Sequence, residues 1–432
     1  MKKILFLFMT LILSVALIGC SNNDSTTGES KDGTTEINFW TFEKLHAEYY
    51  KDAAESWNKE NPDKKIKLIP TVIPFAQLYQ KLTVALQSGK GAPDLVDVEL
   101  GQTAMLLKGK KAPFEPLNSE IEPFKDKLVE SRLVNFERDG NYYGLDYHVG
   151  TTVTYYNKEI LEKAGIDYKN IKTWEDYVAA GKQVKEKTGV WMTEVETSSY
   201  FVFDSMVAQQ KSDVIEDGKA SLAAEKNVTA LQLLHDMVYT DKIARKAVGT
   251  SLDNEEFFAE MNKGKVASVT MPAWYMSRLV NYMPDLSGKI AIAPMPVFNE
   301  GDYRSAGGGG TATMVTNQAN NKEITKEFAV WSKADEKQAI KQWTVLGFDP
   351  VRWDVWESEE LKADNKYTQY LGKDIFDTLT SIKDEITSVN KRAEISPKLS
   401  DYFINKVLPN VITKEKLTPE EGLKAADKEL NK

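Results

Sequence analysis

Four adjacent residues near the start of the chain combine the chemical groups that bind a sugar. Trp40, Thr41, Phe42 and Glu43 supply two aromatic rings, a hydroxyl and a carboxylate. Rings stack on the apolar C–H faces of a sugar, and hydrogen bonds to charged groups contribute roughly 1.5–3 kcal/mol each. These residues follow a predicted strand, and ligands of open parallel sheets bind beyond the carboxyl ends of the strands. We interpret them as candidates for a saccharide site; the alternative is that Trp40 is in the core and Glu43 begins a helix.

Other strand ends carry residues of the same kinds. Glu99 ends an apolar strand, and Gln102 follows it closely. Glu196 follows a second strand-like run, and Trp274 follows a third. Each has a structural alternative, because an acid can also begin a helix and a tryptophan can also fill a core. We include these residues as candidates for the same cleft.

Two further segments are candidates for different reasons. Asp146 and His148 lie in LDYHVGTT, residues 145–152, although a lone histidine is more often a structural residue. Gly308 and Gly309 belong to the run GGGG, whose lack of side chains would let a ligand approach the backbone. A flexible turn is the alternative interpretation of these glycines.

The sequence lacks the common patterns of catalytic and cofactor sites. It contains no G-x-S-x-G, Walker A or H-E-x-x-H motif. The GGGG run precedes the strand-like TATMVT, whereas a nucleotide-binding loop leads into a helix. The three histidines share no ligand spacing, so we expect no metal and no cofactor. A carboxylate pair for glycoside hydrolysis stays open because its separation is spatial, but we expect a protein that is not an enzyme.

Charge and composition restrict the class of partner. The formal net charge of −9 argues against a nucleic acid held through its phosphates. The content of 42% hydrophobic and 28% charged residues is typical of a globular protein, and 432 residues allow two or three domains.

The first residues have the pattern of an export signal that ends in a lipid attachment site. Two lysines precede an apolar run, 4–18, of about 15 residues, which suits a signal peptide but is short for a spanning helix. Leu17-Ile18-Gly19-Cys20 then resembles the bacterial lipobox, in which the cysteine becomes the lipidated first residue. We expect residues 1–19 to be a lipoprotein signal peptide and Cys20, the only cysteine, to carry the lipid. Residues 20–35 would be a disordered tether, because 21–35 contain no apolar residue. A simple signal peptide or a weak membrane anchor is the alternative.

The start of the folded body alternates between strand and helix patterns. Strands are predicted over 36–40, 65–73 and 94–100, and helices over 45–59 and 75–87. This order predicts a parallel sheet with right-handed crossovers.

Several segments occur in an order typical of one family. They are INFWT, SGKGAPDLVDVE, NYYGLDYHVGTTVTYYNKEILEKAGI followed by KTWEDY, MNKGKVASVTMPAWYM, and NKEITKEFAVWS. Together they resemble the extracellular sugar-binding lipoproteins of ABC importers, the maltose-binding-protein group, over nearly the whole chain after residue 36.

The resemblance implies an α/β, two-lobed periplasmic-binding-protein-like fold of type II, with hinge-connected lobes and three chain crossings. The crossings would fall near 143–149, 290–296 and 339–343. Lobe 1 would contain 36–145 and 295–340, and lobe 2 would contain 146–294 and 341–432. Trp274 matches the aromatic residue of the family's cleft.

Three segments narrow the resemblance. YGLDYHVGTTV, GGGGTATMV and VLGFDPVRWDVWES resemble the arabinose or arabino-oligosaccharide binding proteins of Gram-positive bacilli. This adds Arg352 and Trp353 as candidates, although Trp353 and Trp356 share a helical face, which is more often a core pattern.

This narrower resemblance also implies a function. We expect a monomer that captures arabino-oligosaccharides by hinge closure and delivers them to an ABC permease. It would be lipid-anchored on the extracellular face of the cytoplasmic membrane. Malto- or xylo-oligosaccharides are the alternative ligands, and a lipid-anchored glycosidase is a distant alternative.

Overall fold

The computed structural model describes residues 33–432. The predicted signal peptide, Cys20 and most of the predicted tether lie outside the described residues. From residue 33 to the last residue, no helix combines the length and the apolar character needed to cross a bilayer.

The secondary structure mixes helices and strands. The strands are β1 (Thr35–Thr41), β2 (Ile66–Val72), β3 (Leu95–Glu99), β4 (Glu137–Arg138), β5 (Asn141–Tyr142), β6 (Gly144–Asp146), β7 (Thr152–Asn157), β8 (Thr193–Val195), β9 (Ile215–Glu216), β10 (Lys219–Ala220), β11 (Ala244–Lys246), β12 (Ser268–Pro272), β13 (Ile290–Pro294) and β14 (Thr311–Val315). The α-helices are α1 (Lys44–Glu60), α2 (Phe75–Ser88), α3 (Leu100–Leu106), α4 (Asn118–Ile121), α5 (Glu130–Leu133), α6 (Lys158–Ala164), α7 (Trp174–Thr188), α8 (Phe201–Gln209), α9 (Glu225–Tyr239), α10 (Glu255–Asn262), α11 (Met276–Tyr282), α12 (Lys322–Ala334), α13 (Glu336–Lys341), α14 (Glu359–Lys362), α15 (Lys366–Leu371), α16 (Ile375–Thr380), α17 (Ser396–Tyr402) and α18 (Pro419–Leu430). Short 3-10 and π-helical turns connect several of these elements.

The elements predicted for the start of the folded body are all confirmed. The three predicted strands are β1, β2 and β3, and the two predicted helices are α1 and α2. β1 pairs in parallel with both β2 and β3, as the strand–helix–strand order predicts. α1 ends at Glu60 because Asn61 precedes a proline, which disfavours helical backbone at that position.

The first sheet has the strand order β2-β1-β3-β14-β6 and is covered on both faces. Ile37 and Phe39 of β1 pack into a core that includes residues of α1. Val96 and Val98 of β3 belong to a separate core with residues of α2. Helices on both faces bury β3, in which only Glu99 is partly exposed.

The second sheet has the order β12-β7-β13, and all its pairings are antiparallel. The chain passes from β6 of the first sheet to β7 of the second, and returns from β13 to β14. α15 and α16 pack against β13, whereas α18 packs against α9. The lobe boundaries named above stay a prediction, and one buried apolar cluster contains residues of both sheets, among them Phe39 of β1 and Val153 of β7.

A buried polar cluster lies inside the first sheet, around Asp97. The Asp97 carboxylate accepts hydrogen bonds from Thr41 Oγ1 at 2.6 Å, Thr313 Oγ1 at 2.8 Å and the Tyr147 hydroxyl at 3.0 Å. His46 Nδ1 lies 2.9 Å from the same carboxylate. These partners satisfy a carboxylate that water cannot reach.

Candidate functional site

A cavity of about 330 Å³ lies where the carboxyl end of β3 approaches the N-terminal end of α8. We call it the cleft. It is formed by four separate stretches of chain, and its lining residues are Glu99, Leu100, Gly101, Gln102, Ser198, Ser199, Tyr200, Phe201, Asp204, Gly307, Gly308, Gly309, Ser388, Val389, Lys391, Pro397, Ser400 and Ile404. The wall therefore combines apolar surface with carboxylates, hydroxyls and an ammonium group.

Glu99 carries the carboxylate on the β3 side of the cleft. It ends β3 and caps α3, because its Oε2 accepts the Gly101 N–H at 2.8 Å. The Glu99 N–H donates to the Tyr79 hydroxyl at 2.7 Å, which fixes the backbone at this turn. Burial raises the pKa of Glu99 to about 7, although the Gly101 N–H and the charge of Lys391 oppose the shift.

Lys391 carries the positive charge on the α8 side. Its Nζ lies 2.7 Å from Asp204 Oδ2 and donates to the Tyr200 hydroxyl at 3.2 Å. Burial acts to lower the pKa of Lys391, but Asp204 and Tyr200 outweigh it and raise the pKa above its ordinary value. Burial raises the pKa of Asp204, and Lys391 opposes that shift. Through its hydrogen bond to the hydroxyl, Lys391 holds the Tyr200 side chain at the cavity wall.

The GGGG run, residues 307–310, forms a glycine loop that passes close to Pro272 beside the cleft. A Cβ atom on Gly308 would lie only 2.3 Å from Pro272 Cγ. The Gly308 N–H donates to the Gly150 carbonyl at 2.8 Å, and its own carbonyl accepts from Trp274 Nε1 at 3.2 Å. Gly309 has φ of +72°, a region that favours glycine.

The structure brings five of the predicted site residues together. Glu99, Gln102, Gly308 and Gly309 line the cleft. Trp274 lies behind the glycine loop, with its ring centroid 5.6 Å from that of Phe201, another lining residue. Whether these residues contact a sugar stays a prediction.

Trp40, inside β1, and Phe42, just after it, lie away from the cleft. Trp40 lines a separate open groove beside α2, and the Lys81 ammonium lies 4.9 Å from its ring centroid. Phe42 packs edge-on against Phe75 at 5.2 Å. Both positions follow from the sheet, because α2 covers the face on which these side chains emerge.

Thr41 and Glu43 have protein partners of their own. Thr41 is fully buried and donates to Asp97. Glu43 caps α1 through the Leu45 N–H, as the helix-start alternative predicts, and one of its carboxylate oxygens lies 3.8 Å from Arg278. Neither residue lines the cleft.

Asp146 ends β6 of the first sheet, His148 follows on the way to β7, and neither residue lines the cleft. Asp146 forms a buried ion pair with Arg132 at 2.5 Å. Burial acts to raise the pKa of the Asp146 carboxyl, but Arg132 helps to bring this pKa below its ordinary value. The His148 ring packs edge-on against Phe348 at 5.1 Å. Burial lowers the pKa of His148 to about 3, so its imidazole is neutral over the physiological range.

Glu196 does not line the cleft but lies next to Ser199, which does. Its carboxylate accepts hydrogen bonds from the Ser199 hydroxyl and from the Val202 N–H at 3.2 Å. Burial raises the pKa of Glu196 to about 7. Its hydrogen bonds shape the turn that leads into α8.

Arg352 and Trp353 lie away from the cleft. Arg352 pairs with Asp354 at 2.6 Å and donates to the Ala334 carbonyl at 2.9 Å. Trp353 packs against Trp356 with ring centroids 4.9 Å apart. The shared face of the two tryptophans is therefore used in packing.

Sequence reasoning missed most of the α8 side of the cleft. Tyr200 and Phe201 follow Glu196 within five residues. This aromatic pair could have been selected by the strand-end rule, by which ligands bind beyond the carboxyl ends of strands. Ser388 and Lys391 have no such signal, because their segment shows neither helix nor strand period and reaches the cleft only through long-range packing.

Two α/β layers that meet at a cavity lined by aromatic, carboxylate and ammonium groups define a ligand-binding protein of the two-lobed class. The chain belongs to the family of bacterial extracellular solute-binding proteins, whose profile matches residues 43–339. It is 45% identical over 435 residues to the arabinooligosaccharide-binding protein of Bacillus subtilis, covering 100% of this chain and 99% of the relative. It is 44% identical over 407 residues to the arabinooligosaccharide-binding protein of Halalkalibacterium halodurans, covering 94% and 91% of the two chains.

Solved structures resemble the fold. The GacH receptor of Streptomyces glaucescens has a TM-score of 0.74 at 20% identity, covering 91% of this chain and 97% of that one. The maltose-bound MalE3 of Thermotoga maritima has a TM-score of 0.73 at 19% identity, covering 92% and 99%. These likenesses confirm the predicted α/β two-lobed fold, and the family match confirms the predicted resemblance.

Proposed function

We propose that this protein captures arabino-oligosaccharides in the cleft and delivers them to the permease of an ABC importer. The observation that carries the proposal is the composition of the cleft wall, where Glu99 is on one side and Tyr200, Asp204 and Lys391 are on the other. The names of the two relatives at 44% and 45% identity support the choice of arabino-sugars.

The wall residues suit the two kinds of surface on a sugar. Glu99 can accept hydrogen bonds from ring hydroxyls, and Lys391 can donate to them, at roughly 1.5–3 kcal/mol for each charged hydrogen bond. The rings of Tyr200 and Phe201 provide apolar surface for the C–H faces. A neutral sugar needs no opposite net charge, so mixed charges held by their own partners are an appropriate arrangement.

Capture would occur by closure of the two lobes around the ligand. Contacts across the cleft support this step: Lys108 Nζ lies 3.1 Å from Glu394, and the Arg392 side chain donates to the Val134 carbonyl at 2.9 Å. The lobe division at residues 145, 294 and 340 is part of the proposal, as is the monomeric state. Closure would shield the bound sugar from water and present both lobes to the permease.

The proposal places the protein at the outer face of the membrane. Cys20 would carry the lipid anchor after removal of residues 1–19. The tether up to residue 35 would span roughly 20 Å root-mean-square as a flexible chain. The folded body would then bind sugar within reach of a permease in the same membrane.

Isothermal titration calorimetry with arabinobiose to arabinotetraose, alongside maltose and xylobiose, tests the ligand. Binding of the arabino-sugars alone is the expected result, and no heat with any of them would overturn the specificity. At about pH 8.5, above the pKa of Glu99, Glu99→Gln should weaken binding about fivefold, because a charged acceptor becomes a neutral one. Glu162→Gln, an exposed acid on α6, is the matched control and should bind as the parent protein does.

Two other outcomes would point to the alternatives. Heat with maltose or xylobiose but not with arabino-sugars would favour another oligosaccharide of the same importer class. New reducing ends after incubation with arabino-oligosaccharides would favour a glycosidase.

A further inference from the structure

A second cavity adjoins the cleft at Ser388. This outer cavity has a volume of about 750 Å³ and opens to the protein surface. Ser388 lines both cavities, and its hydroxyl, which donates to the Gly307 carbonyl at 2.8 Å, lies at the boundary between them. Its wall also includes Lys211, Asp213, Glu216 and Tyr303.

Helix α8 sets the spacing between the two cavities. Phe201 and Asp204 near its N-terminal end line the cleft, and Lys211, just beyond its C-terminal end, lines the outer cavity. At about 1.5 Å per residue the helix is roughly 13 Å long. The two cavities therefore lie within a few sugar units of each other along one helix.

Hydrogen bonds fix the wall of the outer cavity. The Thr387 carbonyl accepts the Gly307 N–H at 2.7 Å, and Asp213 accepts the Asn390 N–H at 2.9 Å. The Tyr303 N–H donates to the Gln209 carbonyl at 2.8 Å, which ties this residue to the end of α8. A site held in this way is largely formed before a ligand arrives, as is usual for small-molecule sites.

The outer cavity repeats the chemistry of the cleft. The half-buried Tyr303 ring supplies an aromatic surface, and the Lys211 ammonium lies 4.4 Å from its centroid. Exposed Glu216 supplies a carboxylate, and Ser212 and Thr387 supply hydroxyls. Hydroxyl, carboxylate and aromatic groups together match the rim and faces of a neutral sugar better than they match an apolar or anionic ligand.

The volumes of the two cavities show why an outer site would be used. The cleft, at about 330 Å³, is at the low end of the range of about 300–1,000 Å³ for small-molecule sites. A short saccharide fills such a space, and a longer one must extend out of it. We propose that the outer cavity is a subsite that holds the end of an arabino-oligosaccharide too long for the cleft, reached past Ser388. This inference rests on the proposed function, because it assumes that the cleft binds the rest of the same chain.

Calorimetry with arabinobiose and arabinohexaose tests the subsite in the full-length protein. The parent protein should bind the hexaose more tightly than the biose. Tyr303→Ala should weaken hexaose binding about fivefold, the equivalent of one neutral hydrogen bond, and leave biose binding unchanged. Glu216→Gln, at an exposed position of β9, should produce a smaller loss that is again confined to the hexaose.

The control is Tyr168→Ala, which removes another half-buried tyrosine, one that lines neither cavity. It should bind both sugars as the parent protein does. Equal affinity of the parent for both sugars, or a Tyr303→Ala loss that is absent or equal for the two, overturns the subsite while biose binding still supports the proposed function. Failure of the parent to bind the biose and the hexaose overturns the proposed function itself.

Discussion

Replacement of Gly308 by alanine should disturb ligand binding more than folding. The new Cβ would lie 2.3 Å from Pro272 Cγ, whereas ordinary van der Waals contacts begin at 3.4 Å, so the two segments must separate by about 1 Å. Overpacking of this kind costs typically 1–3 kcal/mol. Pro272 ends β12 of the second sheet, and Gly308 lies on the chain that returns to the first. If the two segments touch only in the closed form, the whole free-energy cost of overpacking opposes closure of the lobes.

The expected loss of affinity for arabinotriose is then about 5- to 150-fold, with little change in Tm. Calorimetry and a thermal melt of the same samples measure the two quantities. Gly422→Ala is the control, because its Cβ would lie 2.5 Å from Val411 Cγ2 in the packing of α18, and neither residue lines the cleft. It should lower Tm and leave affinity unchanged. An unchanged affinity for Gly308→Ala with a lowered Tm would refute the assignment of this contact to closure, and no change in either would refute the steric argument.

Three further predictions concern Glu196, Trp274 and Cys20. Burial raises the pKa of Glu196 from 4.5 to about 7, so between these pH values the folded protein binds more protons than the unfolded chain. The free energy of unfolding of the parent, relative to that of Glu196→Gln, should therefore fall by up to about 3 kcal/mol as pH rises from 5 to 8. Urea melts at both pH values measure this, and a parallel pH dependence of the two proteins would contradict it. Trp274→Phe keeps an aromatic ring but removes the hydrogen bond to the Gly308 carbonyl. Calorimetry should show an affinity for arabinotriose about fivefold lower. Unchanged affinity would exclude a role for this bond in the bound form. Cys20→Ser should release the protein from the membrane fraction of cells while the purified protein binds sugar normally, and retention in that fraction would refute the lipid anchor.

The strand-end rule located one side of the cleft because β3 ends at it. Glu99 and Gln102 follow β3 in the middle of the first sheet, next to the strand that returns from the second lobe. The same rule selected the residues after β1, which has β2 and β3 as neighbours. β1 and β3 are parallel, so their carboxyl ends lie at the same edge of the sheet. The sequence does not show that Trp40 and Phe42 pack against residues of α2, or that β14 inserts beside β3 from more than 200 residues further along the chain.

Residue type alone also fails to separate ligand groups from buried structural groups. Thr41, His46 and Tyr147 have the chemistry of a binding site, but they surround Asp97 and satisfy it inside the protein. Such clusters arise wherever a polar residue is buried, because each unsatisfied group costs free energy. A polar residue at a strand end is therefore an ambiguous signal until its partners are known.

The remaining hydrogen-bonding capacity of each side chain resolves this ambiguity. Thr41 Oγ1 donates to Asp97 and accepts the Glu43 N–H, which leaves little capacity for a ligand. Lys391 has three N–H groups, of which one is directed to Asp204 and one to Tyr200, so a third can reach a sugar hydroxyl. Oε2 of Glu99 accepts the Gly101 N–H, and a carboxylate has about four acceptor positions in all. Lys391 and Glu99, which keep spare capacity and line the same cavity, are thus the polar residues most suited to hold the ligand, although only Glu99 could be selected from the sequence.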